Sequence, residues 1–520
     1  MIASHNQIYF SDAFRVATKT LEEYGAFDVS LINDLPLFID PFLLFNSDAP
    51  TYRRLHDQII EYLRFLRDKA GAGPVPEGLL RAWFTFPEVR QNWLGYSLSG
   101  NRGSGLGLDF AKGLARNLST LFHSFGAETV TLGSHLEKLC LIADGVGRDN
   151  ISDFTTNLIK NYLLEYTQEF ARAHLLPEQR RVVPVRKTVF NYETETWETR
   201  RFDLPFVGGD YVILTPMDLL TKEDIWINRP DLIRQYPYVV AAVPNDQLRE
   251  QLNNYLSGVL TRILERDDRT RREKEGGPGR RRGRRRPAQD RQPTAKQASE
   301  AIGALVHAHP EFIDYYIRYK EDHGDEAAAQ ADVRVRASER LYIQQVRALV
   351  SNLQAYTEFY AYPGTTLDEA RRRVAFLKDV IENKGGWRIF YVDGQPLRRE
   401  SDLHIMFRLT WCNTPSDVNR EVNNGRGPSD FEVSRGRFDK SLVEFKLARS
   451  TSLAKNLVHQ AEAYQKASDA QHALKVIVYF TLADEERARQ VLTGLELYGH
   501  PDIVLIDARD DNKPSASKIG

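Results

Sequence analysis

Apolar residues recur at helical spacing along most of the first 180 residues. In residues 50–70, Leu55, Ile59, Leu63 and Leu66 recur three or four positions apart with charged residues between them, which predicts an amphipathic helix. Residues 151–175 follow the same pattern, and Ser152 or Asp153 could cap the start of that helix. This part of the chain is therefore predicted to be rich in helices.

The period changes between residues 182 and 215. Apolar and polar residues alternate there, and a turn near Thr194 and Glu195 predicts a β-hairpin. The segment 210–216 reads as a further strand, and helical spacing then returns as far as Leu264. Residues 1–265 are thus expected to form a helix-rich α+β region that includes a β-hairpin.

The composition shifts at residues 266–298, where Arg, Gly and Pro dominate and few residues could be buried. Such a segment cannot offset the entropy of ordering, so a flexible linker is expected. Two functions stay open for it: a basic arm that contacts phosphates, or a solvated insertion without a ligand. The absence of interleaved aromatic residues favours the insertion.

Amphipathic helices return in residues 299–399 and form a predicted connector to the C-terminal part. Residues 400–411 read as one more helix. From residue 416 onward the order is a helix over 416–422, a hairpin, a long helix, a strand, a helix and a strand. This order predicts an α/β sandwich in residues 400–520, after the larger helix-rich α+β region.

Composition narrows the class of protein. The 520-residue chain has a net charge of -1, so a nucleic-acid partner would require a local basic patch rather than a global field. Two cysteines give neither a disulfide framework nor a zinc cluster. The sequence shows no signal peptide and no long apolar run. A soluble cytoplasmic protein without membrane contact is expected.

The candidate chemistry lies in the C-terminal hairpin. Glu444 and Lys446 are two residues apart on a predicted strand, so both point to the same face. Asp430 begins the first strand of that hairpin and would lie near them. Two carboxylates beside a lysine make an oxygen-rich site suited to Mg²⁺ or Mn²⁺. Gln460 and Tyr464, four apart on the following helix, lie on one helix face.

These motifs together resemble the PD-(D/E)xK nuclease superfamily, in its RecB-like branch with the QxxxY helix. The matching residues are PSD at 428–430, EFK at 444–446 and QAEAY at 460–464. In the family pattern the proline directly precedes the aspartate, whereas Ser429 separates Pro428 from Asp430 here. The rest of the chain resembles only uncharacterised bacterial proteins.

The resemblance implies a restriction-endonuclease-like fold and metal-dependent hydrolysis of phosphodiester bonds. It implies that Asp430, Glu444 and the main-chain carbonyl of Phe445 are metal ligands, and that Lys446 is the catalytic lysine. Glu421, just upstream, would be a further ligand or a water-positioning acid. Gln460 and Tyr464 would complete the catalytic set. The basic residues around the motif are candidate phosphate contacts: Arg426, Arg435, Arg437, Lys440, Arg449 and Lys455.

The leading prediction is a Mg²⁺-dependent deoxyribonuclease, acting in bacterial defence against phage, as a homo-oligomer or with a partner protein. Two alternatives stay open: a non-catalytic nucleic-acid-binding scaffold with a nuclease fold, and a nuclease that acts on RNA. Metal dependence separates the scaffold from the enzyme, because phosphate binding through Arg and Lys needs no divalent ion.

Two weaker candidates lie in the N-terminal region. The glycine-rich segment 99–118 could bind a phosphate at a helix start, although a flexible loop explains it more simply. Asp149 and Asp153 could hold a metal, although a turn and a cap at Ser152 explain them equally well.

Overall fold

The computed structural model combines helices along the chain with several small sheets and one larger C-terminal sheet, which confirms the mixed α and β class. It describes residues 8–95, 106–121, 128–142, 146–222, 224–274, 293–354, 364–392, 394–411, 417–420, 431–435, 439–457 and 472–513. Among these residues, no helix combines the length and the apolar character that crossing a bilayer requires.

The N-terminal region is mainly helical, as its apolar spacing predicts. The helix expected over 50–70 is present, and Leu55, Ile59, Leu63 and Leu66 face the core. The helices are α1 (Phe10–Phe14), α2 (Thr18–Tyr24), α3 (Pro41–Phe45), α4 (Pro50–Gly71), α5 (Glu77–Leu79), α6 (Leu108–Leu121), α7 (Lys138–Ile142), α8 (Arg148–Leu158), α9 (Lys160–His174), α10 (Arg229–Ala242) and α11 (Asp246–Lys274).

The helix predicted over 151–175 differs from the structure in two ways. It is broken at Ile159 into α8 and α9, and α8 begins at Arg148 rather than at Ser152. The Ser152 hydroxyl accepts a hydrogen bond from the main-chain N–H of Ile39 at 2.9 Å. The predicted cap is wrong because this serine is used for a tertiary contact inside the helix.

Short strands make the small sheets of the N-terminal region. They are β1 (Leu37–Ile39), β2 (Arg180–Val185), β3 (Phe190–Asn191), β4 (Thr196–Trp197), β5 (Arg200–Val207), β6 (Asp210–Tyr211) and β7 (Leu220–Lys222). β1 pairs with β7, β2 and β6 flank β5, and β3 pairs with β4. The predicted hairpin is confirmed as β3–β4, with Glu195 in its turn at φ 54.

The strand predicted over 210–216 is confirmed only for Asp210–Tyr211. Beyond it the main chain bonds to loops and a side chain: Ile213 N–H donates to the carbonyl of Gln91 at 2.8 Å, and Leu214 N–H to the Thr167 hydroxyl at 2.9 Å. Its apolar residues are buried, and its contacts with extended segments are single ones: Val212 N–H donates to the Pro205 carbonyl of β5 at 3.0 Å, and Pro216 forms an isolated bridge with Ala26.

The predicted linker of 266–298 is too long at both ends. Helix α11 continues to Lys274, and α12 (Ala295–Ala308) begins after the cap residue Thr294. Arg266 of α11 pairs with Glu300 of α12 at 2.5 Å, and Gln297 donates to Asp267 at 2.9 Å. These polar contacts between the two helices extend them into the charged segment. Residues 275–292 lie outside the described part of the chain.

The connector helices join the N-terminal region to the C-terminal sheet. They are α13 (Glu311–Asp322), α14 (Gly324–Glu339), α15 (Val346–Gln354), α16 (Thr366–Asn383) and α17 (Glu400–Thr410), with a short hairpin of β8 (Tyr391–Val392) and β9 (Gln395–Pro396) between the last two. Arg347 pairs with Asp28 at 2.9 Å, and the Tyr342 hydroxyl donates to Asp402 at 2.6 Å. One apolar core runs through all three predicted parts, so the boundary drawn at 399/400 does not separate two cores.

The C-terminal sheet contains five described strands in sequence order. They are β10 (Asp417–Arg420), β11 (Phe431–Ser434), β12 (Lys440–Leu447), β13 (His472–Tyr479) and β14 (Ile503–Asp507). β10, β11 and β12 pair antiparallel, whereas β12, β13 and β14 are parallel. The helix predicted over 416–422 is wrong for its described part, 417–420, because pairing with β11 overrides a weak local preference for helix.

Helices pack on both faces of this sheet. Val476 and Val478 of β13 belong to the main core on the side of α16, which contacts β11 to β14. Ile477 and Tyr479 of the same strand face the other way and pack with Ala488 and Leu492 of α18 (Leu482–Gly494). The alternation along β13 therefore places one apolar layer on each side, as expected for a central strand.

Candidate functional site

The second strand of the predicted hairpin, β12, carries the EFK motif. Val443, Phe445 and Leu447 are buried in the main core at 0%, 0% and 3% exposure. Glu444 and Lys446 alternate with them and share the opposite face. The predicted separation of an apolar face from a charged face is confirmed for this strand.

The charged face is far from solvated. Glu444 is only 3% exposed, and the Lys446 side chain only 11%. A carboxylate buried to this degree costs several kcal/mol in free energy unless charges or a metal ion compensate it, on the order of the desolvation penalty of a buried ion. The burial therefore argues against a simple solvated hairpin at these two positions.

Helix α17 contacts the main chain of β12 beyond the last described pair of the β11–β12 ladder. The last described pair is Phe431 with Val443. Beyond it, the His404 Nε2 lies 3.0 Å from the carbonyl oxygen of Phe445, and the N–H of Leu447 donates to Glu400 Oε1 at 3.1 Å. Two side chains four residues apart on α17 thus bond to main-chain groups of β12.

Glu400 also connects to the lysine of the motif. Its Oε2 lies 3.8 Å from Lys446 Nζ, while its other oxygen holds the main chain of Leu447. The Glu400 side chain is 26% exposed, so this ion pair is partly shielded from solvent. The arrangement fixes the Lys446 amine beside the strand end.

A second lysine lies on the same face. Lys475 of β13 stands opposite Glu444 in the parallel register and is 6% exposed. Burial lowers the pKa of the Lys475 amine, the nearby Glu444 opposes this shift, and Lys446 adds to it. The Glu444 carboxylate is therefore close enough to interact electrostatically with the amines of Lys446 and Lys475.

Sequence reasoning missed His404, Glu400 and Lys475. Residues 400–411 were interpreted only as a helix, and the strand 473–480 only as a buried apolar strand. The available signals were an acid and a histidine at i and i+4 on one helix face, and a lysine inside an apolar strand. Only the register between strands places that lysine beside Glu444.

Several predicted site residues lie outside the described part of the chain. These are Glu421, Asp430, Gln460, Tyr464, Arg426 and Arg437. Of the predicted metal-ligand set, the structure describes Glu444 and the carbonyl of Phe445. Within the described ranges, no group of three or more His, Cys, Asp or Glu side chains is placed to hold a metal ion.

Two of the predicted phosphate contacts are engaged inside the protein. Arg435 pairs with the buried Glu369 of α16 at 2.5 Å and also donates to the carbonyl of Gly364. Arg449 donates to the carbonyl of Leu397 and lies over the ring of Phe480 at 5.4 Å. Lys455 is exposed and is the more accessible candidate, whereas Lys440, at the start of β12, is half-buried.

The weaker candidates are placed as follows. Residues 99–105 of the glycine-rich segment lie outside the described chain, and α6 follows it. Asp149 and Asp153 are on α8, and the pKa of Asp153 is raised to about 8 by burial and by the carboxylates of Asp149 and Glu88.

Two family models match the chain. One, a domain of unknown function (DUF8370), matches residues 15–228. The other, a domain of unknown function (DUF8371), matches residues 366–482. No curated protein and no solved structure matches the chain. The second match begins at the first residue of α16 and ends at the first residue of α18, so it spans the β12 site together with the helix that supports the sheet.

Proposed function

We propose that the chain is a divalent-metal-dependent nuclease that hydrolyses phosphodiester bonds of DNA at the C-terminal end of β12. The observation that carries the proposal is the burial of Glu444 at 3% exposure on the same strand face as Lys446. A buried carboxylate that is not part of an apolar core is typical of a functional site.

The donor atoms at this strand suit Mg²⁺ or Mn²⁺. Glu444 offers a carboxylate and Phe445 a main-chain carbonyl, both hard oxygen donors. The His404 Nε2 lies 3.0 Å from that carbonyl oxygen and can donate a hydrogen bond to it, which orients the carbonyl beside Glu444. Asp430 and Glu421 would complete the set that the resemblance implies. A bound divalent ion would supply Lewis-acid activation of water and charge neutralisation at the phosphate.

The chain's own residues would then position the reactants. Lys446, held by Glu400 at 3.8 Å, would orient the attacking water or offset charge that develops on the phosphate oxygens. Lys475 would keep the Glu444 carboxylate ionised by its positive field. Gln460 and Tyr464 would contact Lys446 or a phosphate from the following helix.

The architecture supports the proposal at the level of the fold. The five-stranded sheet has α16 and α17 on the side of the main core and α18 on the other. We take this arrangement as the restriction-endonuclease-like sandwich that the motifs imply, with the site on the α18 side of the sheet. The fold alone does not determine the activity, so the proposal depends on the residues of β12.

The test is a cleavage assay with the full chain. Supercoiled and linear double-stranded DNA, single-stranded DNA and RNA are incubated with Mg²⁺, with Mn²⁺ and with EDTA. Lys446→Ala and Glu444→Gln are compared with the wild type, and Lys384→Ala, at the exposed lysine directly after α16, is the matched control. The proposal expects metal-dependent cutting of DNA that both site variants lose and the control keeps.

Other outcomes separate the alternatives. Preferential cutting of RNA would show that RNA, and not DNA, is the substrate. Binding of DNA that resists EDTA, without cutting, would favour the scaffold. Cutting that persists in Lys446→Ala and Glu444→Gln would place the activity elsewhere and contradict the proposal.

A further inference from the structure

A cavity of about 390 Å³ opens in the N-terminal region between α4, α9 and the β3–β4 hairpin. Its volume lies within the range of pockets that hold small molecules, roughly 300–1,000 Å³. It belongs to elements separate from the C-terminal sheet, so it is not part of the site proposed on β12. Its lining combines aromatic rings, amide groups and arginines.

The aromatic side of the cavity is a packed cluster. The rings of Tyr62 and Phe190 are 4.9 Å apart between centroids, those of Tyr62 and Trp197 are 5.2 Å apart, and those of Phe190 and Trp197 are 5.3 Å apart. Tyr192 packs on Phe190 at 5.1 Å and is 39% exposed. These contacts hold the rings in place before any ligand enters, and a flat aromatic ligand could stack on them.

The α9 side of the cavity contains a polar atom that lacks a partner. Asn161 donates through Nδ2 to Glu165 Oε1 at 2.8 Å, but its buried Oδ1 accepts no hydrogen bond from any described residue. A buried acceptor without a donor costs about 1–3 kcal/mol. A ligand with an N–H group would remove this cost, and nucleobases carry such groups on their ring edges.

The rim of the cavity carries the charges. Arg54 and Arg200 are exposed and belong to opposite sides of the opening, on α4 and on β5. Their present contacts are weak surface ones, to the Thr51 hydroxyl at 3.2 Å and to Glu198 at 3.1 Å. Both guanidinium groups could therefore turn to a phosphate. Glu61, also at the rim, could accept hydrogen bonds from ribose hydroxyls.

We propose that this cavity binds a mononucleotide, with the base stacked among Tyr62, Phe190, Tyr192 and Trp197 and the phosphate at Arg54 and Arg200. Asn161 Oδ1 accepts a hydrogen bond from the base. The aromatic walls favour a planar group, the free acceptor favours one that carries N–H donors, and the two arginines favour an anionic end. The volume fits one nucleotide and is too small for a folded nucleic acid.

Isothermal titration calorimetry of the full chain tests the proposal, with AMP, GMP, CMP and UMP as probes. At least one of them is expected to bind with one site per chain and to quench the fluorescence of Trp197. The matching nucleoside is expected to bind about ten-fold more weakly, because it loses the charge-assisted bonds to the arginines. Inorganic phosphate alone is expected not to compete measurably.

Three variants and one control locate the binding. Arg54→Ala is expected to weaken the nucleotide about ten-fold but not the nucleoside, since it removes only phosphate contacts. Asn161→Leu is expected to weaken both about equally, and Tyr192→Ala likewise, because they act on the base. The control is Arg64→Ala. Arg64 is exposed on α4, the helix that carries Arg54, but its side chain does not line the cavity.

Two results would overturn the proposal. One is the absence of binding by all four mononucleotides at millimolar concentration to a chain whose thermal unfolding shows it folded. The other is binding that the three cavity variants leave unchanged. If Lys446→Ala abolishes that binding instead, the nucleotide occupies the β12 site and the cavity has another role.

Discussion

The Nε2 atom of His404 on α17 lies 3.0 Å from the main-chain carbonyl oxygen of Phe445 on β12. Both groups are buried, and the carbonyl belongs to the residue between Glu444 and Lys446. The ring contacts β12 two residues beyond Val443, which belongs to the last described pair of the β11–β12 ladder. This contact ties α17 to the motif.

The first prediction concerns this contact. His404→Ala leaves the Phe445 carbonyl without its donor, so the free energy of unfolding should fall by about 1–3 kcal/mol. His404→Gln keeps an N–H donor near the Nε2 position and should recover most of that stability. Because His404 orients the carbonyl that the resemblance makes a metal ligand, His404→Ala should also lower metal-dependent cleavage, and His404→Gln should recover most of it. Urea denaturation and the cleavage assay measure the two effects, and an unchanged stability of His404→Ala would contradict the assigned contact.

The second prediction separates the two contacts of Glu400. Glu400→Gln keeps a neutral acceptor for the N–H of Leu447 but removes the charge 3.8 Å from Lys446. Its stability should stay within about 1 kcal/mol of the wild type, as for a partly exposed ion pair, while metal-dependent cleavage should fall. Glu400→Ala should lose both stability and cleavage. Equal cleavage by Glu400→Gln and the wild type would show that the ion pair does not position the lysine.

The third prediction concerns the buried ion pairs between α16 and the C-terminal hairpin. Glu369 is fully buried and pairs with Arg435 at 2.5 Å and with the buried Arg373 at 3.1 Å. Glu369→Ala leaves two guanidinium groups without this carboxylate, so unfolding should become easier by about 3–5 kcal/mol. Arg435→Ala should cost less, because its side chain is 21% exposed. Glu326→Ala, an exposed acid on α14, is the control.

The same ion pair bears on the predicted role of Arg435 in DNA binding. If Arg435 serves mainly to hold α16, then Arg435→Ala should lower stability and leave the salt dependence of DNA binding unchanged. Lys455→Ala should instead lower the salt slope, because each lost phosphate contact removes about one unit of slope. A reversed pattern would restore Arg435 as a phosphate contact.

Local patterns predicted the elements better than their ends and partners. The spacing of Leu55, Ile59 and Leu63 predicted α4 correctly. Apolar residues that recur every three or four positions over a long segment line one face of an α-helix, whereas a strand would require alternation. Residues 417–420 form a strand, since their backbone pairs with β11, a contact that no local pattern reveals. The spacing of Thr366 and Glu369 fits the capping-box pattern of a helix start, but the capping box of α16 lies one residue earlier, at Thr365 and Asp368. Thr366 and Glu369 instead bond to Asp439 and Arg435.

The candidate site was predictable in part for the same reason. Alternation along one strand suffices to place Glu444 and Lys446 on one face. His404 and Lys475 come from elements 40 residues before and 31 residues after Glu444, as their sequence numbers show. Their proximity depends on the packing of α17 and on the register of β13. Tertiary contacts of this kind are set by the whole fold and not by a local motif.

The last prediction concerns a buried acid in the N-terminal core. Glu137 is fully buried, and neither carboxylate oxygen accepts a hydrogen bond from a described residue. Burial, together with the neighbouring carboxylates of Asp40 and Glu321, raises its pKa to about 8. In the unfolded chain the pKa is 4.5, the ordinary value for a glutamate. The folded protein therefore binds a proton that the unfolded chain has lost across this interval.

The direction in which stability changes with pH follows from this difference in bound protons. Between the unfolded and the folded pKa, the stability of the wild type should fall as the pH rises, by up to about 1.4 kcal/mol per pH unit, and level off above the folded pKa. Glu137→Gln cannot ionise, so it should lose this slope and exceed the wild type in stability at pH 8. Asp40, whose pKa burial raises to about 6, keeps a smaller slope of the same sign at lower pH in both proteins. Urea denaturation from about pH 6.5 to 8.5 measures the difference, with the exposed Glu178→Gln as control. Parallel pH profiles for the wild type and Glu137→Gln would show that Glu137 is ionised in the folded protein and that another group neutralises it.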